Sequence, residues 1–552
     1  MGLLDPVAPP YDALEWEKQP FGAKCRQVCQ AWALQGYGTP LGVYAVYALK
    51  ALVYVGGWWF FCRFTPGLGS LRSIASWWMA PVAFQKAILW SMLFEILGLG
   101  CGSGPLTGRY LPPIGGFLYF LRPGTTKLPL VPGLPIAGGT RRTWLDVVLY
   151  AAVLAALGRA LVAPAIGLQH AIPIAALAAL LAVTDKTVFL CARGEHYWTT
   201  VMVFVLAFDW IPGTKAVWAA LWLWAGVSKL NHHFPAVVCV MTSNSPFTRF
   251  EWLRRRMYRG YPDDLSPSRL AVIAHGGTLL EFAVPVLLLA GHGGTVTWVG
   301  LVLMLVLHGF ITSNVPMGVP IEWNVMMVYG GFFLFWKHAD ASLLGLNVPA
   351  ATFLAVMLVA VPLLGNVMPS WISFLLAMRY YAGNWACSVW LFKGDSYRKL
   401  DRLKKSSAWV YDQLARMYDR RTSVGIVGKV MGFRLMHLHG RALPLLVPKA
   451  VDRVEDYEWV DGELVAGLAL GWNFGDGHLH DEQLLRAVQE QCAFEAGELR
   501  CVFVESQPLG RATLHWRIAD AKSGPLEQGD LQVRDLLARP PWPDGASTSG
   551  AG

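Results

Sequence analysis

The sequence predicts an all-α polytopic transmembrane bundle of about ten helices, followed by a small C-terminal soluble α+β domain. Three observations lead there. Of 552 residues, 54% are hydrophobic and only 15% charged, against about 25% charged in soluble domains. Several apolar stretches approach ~20 residues, the length that crosses a bilayer core as helix. Past about residue 392 the apolar runs give way to charged helical and alternating strand patterns.

Taken in order, residues 1–40 read as a polar segment carrying an amphipathic helix on the cytoplasmic face. They lack the basic flank and apolar core of a signal peptide. The chain opens Met-Gly, but Pro6 stands where a myristoylation signal carries Ser or Thr. Residues 41–391 form the transmembrane helical domain, with helices expected at 41–62, 81–100, 144–165, 170–190, 197–211, 214–230, 269–290, 295–315, 321–337 and 346–364. Residues 371–391, with Arg379 and Asn384 among aromatics, read as an interfacial or re-entrant helix. Gly115-Gly116 and the run FLRPGTTKLP suggest a bent loop between the second and third helices. Residues 392–540 form the soluble domain: 401–421 reads as helix, while 454–474, 499–506 and 513–521 alternate like strands. Residues 541–552 form a disordered tail.

Basic residues select one orientation. The stretches 101–143 and 231–268 and the chain after 391 hold most of them, and the opposite loops are nearly free of them. The positive-inside rule then puts both termini of this multi-pass protein in the cytoplasm. The net charge of +9 reports topology, not nucleic-acid binding. The nine cysteines show no zinc spacing, and only Cys25 and Cys29 share a helical face, so they read as free packing thiols.

Ionisable residues at membrane depth are costly, which makes each a functional candidate. They are Lys50, Glu95, Arg159, Asp185, Lys186, Asp209, Lys229, His275, Glu281, His308 and Glu322. Asp185 and Lys186 read as an interface anchor, and Lys50 with Glu95 as a structural pair. Lys229 ends an apolar run, Ala216 to Val227, within AVWAALWLWAGVSKLNHHFP. It has two readings: a snorkelling anchor, or a buried amine able to act as general base. His275 and His308 likewise read as satisfied core histidines or as site residues. With Glu281, and with Asn231, Asn314, Glu322 and Asn324 as substrate-binding candidates, they could face one cavity among the sixth to ninth helices. In GWNFGDGHLHDEQLL, His478 and His480 could share a strand face and bind metal, or Gly475 and Gly477 could make a turn with Asp481 capping a helix. The loop is the expected outcome, with no metal site.

The order AG-x-x-KL at Lys229, HGG-x-x-x-x-E at His275–Glu281 and an apolar run with His308 resembles the vitamin K-dependent gamma-carboxylases and their bacterial relatives with a horizontally transferred transmembrane domain. It covers roughly residues 210–335. The resemblance implies that Lys229 is the base that deprotonates a reduced quinone, with His308 and Glu281 at family positions. Ile311 stands where the carboxylases carry Asn, and the C-terminal domain is unlike their large lumenal one. A second resemblance spans nearly the whole chain. ASWWMAPVAFQKAILWSMLFEILGLGCGSGPL, LNHHFP, PMGVPIEWNV, MRYYAGNW and GWNFGDGHLHDEQL are similar to an uncharacterised family of bacterial membrane proteins.

The functional expectation is a membrane enzyme that works on a lipid-soluble substrate of quinone, isoprenoid or acyl type. Lys229 would be the base, His275 and His308 would orient the substrate, and Glu281 would fix a histidine tautomer. A quinone is the one cofactor class implied. The expected partners are the bilayer, the lipid-soluble molecule and a protein docking on the C-terminal domain, with no nucleic acid. A non-catalytic lipid-binding or lipid-moving protein is the alternative, and an ion-coupled transporter the second alternative.

Overall fold

A computed structural model describes residues 3–100, 109–111, 116–314 and 320–543. Cys101, Gly115, residues 316–319 of PMGVPIEWNV and the tail from 544 lie outside the described residues. The protein is mostly helical. In chain order the main helices are α1 (Phe21–Gln35), α2 (Leu41–Cys62), α3 (Pro81–Ile96), α4 (Trp144–Val162) and α5 (Leu168–Thr184). Then come α6 (Thr199–Leu206), α7 (Trp210–Lys229), α8 (Phe234–Asn244), α9 (Arg269–Ala290) and α10 (Thr295–Ser313). The series closes with α11 (Ile321–Gly330) and α12 (Val348–Val367).

Helix starts follow local chemistry. Pro81 occupies the first turn of α3, where its missing N–H costs nothing. Thr143 and Asp146 form a reciprocal capping box on α4. Asp209 accepts from the Ile211 N–H and caps the start of α7; it is exposed and separates α6 from α7.

Each of the ten stretches expected to be helical contains helix. Among the described residues, five helices are long and apolar enough to cross a membrane: α2, α4, α9, α10 and α12. The others fall short for visible reasons. α3 has 16 residues, nearly all buried inside the protein. α6 has 8 residues behind a five-residue π turn. α11 has 10 and passes into a π stretch, Gly331–Lys337. α7 has 20 residues, but Lys215, Lys229 and its tryptophans make it less apolar than the five.

A hairpin, β1 (Tyr258–Gly260) and β2 (Asp264–Pro267), follows α8. The C-terminal part holds a five-stranded antiparallel sheet made of β3 (Cys387–Lys393), β4 (Tyr457–Asp461), β5 (Leu499–Val504), β6 (Thr513–Asp520) and β7 (Gly524–Gln532). Its strand order is β4-β3-β5-β6-β7. Helices α13 (Arg420–Met436), α14 (Gly462–Leu470) and α15 (Glu482–Cys492) complete it.

Two expectations are corrected here. Residues 371–391 are not a helix: short 3₁₀ turns lead into β3. β3 lies between two partners and buries its first six residues on both faces, so its sequence shows no alternation and resembles a membrane run. Residues 454–474 are strand only over β4. From Gly462 they turn into α14, which ends on Gly471 at φ +79°, the left-handed conformation that glycine adopts freely at a helix end.

α1 buries Phe21, Cys25, Val28, Cys29 and Trp32 and packs along α13. The N-terminal segment thus belongs with the C-terminal part. Cys25 and Cys29 are buried as expected, and all eight described cysteines are free. Trp542, expected in the tail, is buried with Arg26 over its ring.

Candidate functional site

Lys229 closes α7, and its side chain pairs with Glu281 of α9. Both are buried, at 8% and 2% exposure. The second Glu281 oxygen, Oε2, is buried without a hydrogen-bond partner. The Lys229 ammonium also sits 5.2 Å from the Phe234 ring centroid. The same ring meets His275 edge-on at 5.0 Å, and the His275 imidazole bonds Thr278 Oγ1 at 2.8 Å. Lys229, Glu281 and His275 therefore gather around Phe234.

His308 lies within electrostatic reach of Lys229 but bonds elsewhere. Trp222 Nε1 donates to its Nε2 at 2.9 Å, and its Nδ1 meets Asn324 Oδ1 at 2.7 Å. An indole can only donate, so Nε2 accepts and Nδ1 carries the proton. Both ring nitrogens are occupied and the tautomer is set by Trp222 and Asn324, not by Glu281. This is the satisfied core histidine.

The run Glu322-Trp323-Asn324 binds three separate elements from one turn of α11, because successive side chains leave a helix roughly 100° apart. Glu322 Oε2 lies 3.8 Å from Lys50 Nζ on α2. Trp323 Nε1 donates to His196 Nδ1 at 3.0 Å. Asn324 holds His308. Lys50 also donates to the Gly100 carbonyl at 2.6 Å and is in electrostatic contact with Glu95.

Asn231 faces the C-terminal part. Its Nδ2 donates to the Gln507 carbonyl at 3.2 Å, and its Oδ1 accepts from the Gly510 N–H at 3.3 Å. Asn314 donates to the Phe310 carbonyl at 2.9 Å, and its own carbonyl accepts from Asn244 at 3.4 Å. The eight residues picked from sequence thus fall into separate bonding groups.

Sequence reading passed over Arg193, Glu195 and His196, all buried. Arg193 Nε donates to Glu195 Oε1 at 2.9 Å and Nη2 to Tyr381 Oη at 2.7 Å. Arg193 adopts φ +55° and opens the π turn Gly194–Trp198. RGEH fell between two expected helices and read as a loop. The signal available was a charged cluster, with no Pro, flanked by apolar runs. Asp185, expected as an interface anchor, is fully buried and pairs with Arg142.

In the C-terminal part the loop reading of GDGHLHD holds: Gly475 takes φ +80° and Asp481 caps α15. His478 lies 3.1 Å from Glu505 and 3.4 Å from Asp476. Burial disfavours the charged ring, but Glu505 and Asp476 outweigh it and push the His478 pKa up to about 10. A group raised from 6.5 to about 10 stabilises the fold fully below pH 6.5 and loses that contribution as pH rises through 10. The melting temperature of the intact protein in detergent should therefore fall by several degrees between pH 7 and 10. His478→Gln should flatten that slope, as read by tryptophan fluorescence.

One apolar pocket of about 170 Å³ lies against the first turns of α2. Val43, Val46 and Tyr47 of α2 face Met417 and Ile426 across it, and Lys50 and Arg109 are the charged residues on its wall. The pocket joins a span-length helix to the C-terminal part, and through Lys50 it borders the buried Glu322.

A family model for transmembrane proteins of unknown function (DUF3556) matches residues 1–549. The chain belongs to that family. No curated protein and no solved structure matches it. The match takes in the membrane helices and the C-terminal sheet alike, which agrees with the second resemblance and gives the carboxylase resemblance no support.

Proposed function

We propose that this is a multi-pass protein of a bacterial inner membrane that binds a lipid-soluble molecule and exchanges a proton with it through a half-buried lysine paired with a buried carboxylate. The carrying observation is the α2 pocket, an apolar cavity with a few convergent polar groups. Lys50, on its wall, meets Glu322 behind it. A ligand there touches Lys50, whereas Lys229 does not line the pocket. Lys229 with Glu281 is a second pair of the same type and keeps the general-base proposal for a ligand reaching Phe234. Quinone, isoprenoid and acyl molecules all fit the pocket's apolar character.

In this reading about ten helices form the membrane bundle, both termini are cytoplasmic, and residues 392–540 lie on the cytoplasmic face. The non-catalytic alternative, lipid binding alone, rests on the same pocket.

The test is photolabelling of the whole protein in nanodiscs with a diazirine-bearing isoprenoid and a diazirine-bearing fatty acid, mapped by peptide mass spectrometry. Label should concentrate on Val43, Val46, Met417 and Ile426, and Val46→Trp, which fills the pocket, should cut it at least fivefold. Label confined to outward α2 residues such as Leu49 and Leu52, 61% and 70% exposed, would refute the site. If binding survives Lys50→Gln while every downstream activity also survives, the protein binds lipid without chemistry.

A further inference from the structure

A second cavity, about 600 Å³, opens where the N-terminal segment meets the C-terminal part. Its lining is unlike that of the α2 pocket. Five carboxylates, Glu17, Asp412, Glu455, Asp456 and Glu458, stand against two cations, Lys24 and Arg420. Arg420 is already taken by Glu17. Among the described residues, the ion pair of Asp456 is with Arg453, at 4.0 Å and outside the lining. The wall thus carries an excess of negative charge.

The rest of the lining is aromatic. Tyr397 and Trp409 stack with centroids 5.0 Å apart, and Tyr411 and Trp459 stand beside them. Aromatic faces carry negative electrostatic potential and attract cations lying over them. One side chain of the protein shows that this wall accepts a cation: the Arg420 guanidinium lies 4.3 Å over the Tyr411 ring. Trp409 is 5% exposed, and its indole faces the Glu458 carboxylate as a hydrogen-bond partner. The volume falls within the ~300–1,000 Å³ typical of small-molecule sites.

We propose that this cavity binds a small organic polycation of the linear polyamine class, its amines meeting Asp412, Asp456 and Glu458 and its methylenes lying on the aromatic wall. Several carboxylates spread around one aromatic-walled volume suit several spaced ammonium groups better than one compact metal ion. Among the described residues no group of His, Cys, Asp and Glu could hold a metal.

The site is independent of the α2 pocket, so its test leaves the lipid proposal untouched. Spermidine is titrated calorimetrically into the full-length protein in detergent at physiological ionic strength, with 1,8-octanediol and magnesium chloride as controls. Spermidine should bind saturably, the diol should not, and magnesium should compete only at a large excess. Asp412→Asn combined with Asp456→Asn should weaken spermidine at least tenfold. Both are surface positions, so these changes should leave the melting curve in place. Trp459→Ala should weaken it further through the lost aromatic face. Absence of saturable heat, equal competition by magnesium, or unchanged affinity in the double variant would each overturn the proposal.

Discussion

Lys229→Ala should destabilise the protein by about 3–5 kcal/mol, the usual cost of removing one member of a buried ion pair. The loss comes less from the missing attraction than from Glu281, left as an unpaired carboxylate at 2% exposure. Its Oε2 has no hydrogen bond even with Lys229 present. Glu281→Ala should cost a similar amount, because it strands the ammonium. The double variant Lys229→Ala/Glu281→Leu should recover most of the loss, since no charge then remains buried. Unfolding of purified variants in detergent, followed by fluorescence, measures all three. If the single and double variants lose equally, the pair is not a coupled unit. Lys229→Arg separates structure from chemistry. A guanidinium can still reach the carboxylate, so folding should stay near wild type. Arginine offers no neutral form, so any activity that uses Lys229 as a base should disappear.

Arg434→Leu should be comparably damaging to the C-terminal part, again by about 3–5 kcal/mol. Arg434 bridges Asp461, at 2.6 Å from Nε, and Glu463, at 2.6 Å from Nη2. All three side chains are nearly inaccessible, so losing the guanidinium leaves two facing carboxylates. Asp461 also caps α14 through the Glu463 N–H at 2.9 Å, so Asp461→Asn keeps the cap while removing charge. Arg434→Leu with Asp461→Asn and Glu463→Gln should therefore recover much of the lost stability. The pH dependence has a definite sign. Burial pushes Glu463 up to about 7, against the opposing pull of Arg434. A carboxyl raised from 4.5 to about 7 favours the fold most below pH 4.5 and loses that contribution as pH rises through 7. Arg434→Leu should accordingly be milder at pH 6 than at pH 8. Equal losses at both would exclude Glu463 as the source.

Much of the helical framework was legible from composition because apolar length is a local property. The start of α4, expected at 144, was legible too, whereas α7 begins at Trp210 instead of 214 because Asp209 caps it. The membrane-depth lysines could be named from sequence. Their partners could not, because Lys229–Glu281 and Lys50–Glu322 bridge 52 and 272 residues of chain, and pairing at that separation is decided by packing.

The same limit explains what was misplaced. Residues 387–391 read as part of an interfacial helix or re-entrant piece because β3 is buried on both faces, and burial removes the alternation that identifies a strand. Arg193, Glu195 and His196 looked like a loop because charges between apolar runs usually meet water; here a π turn folds them inward onto Tyr381 and Trp323. His308 could be read either way until Trp222 and Asn324 occupied its two nitrogens. The sequence by itself determined that the chain is a membrane protein and roughly where its apolar helices lie, since these follow from hydrophobicity, which is local. Only the tertiary structure decided which charges meet, that the N-terminal helix joins the C-terminal part, and where cavities remain, because those outcomes depend on how distant surfaces pack.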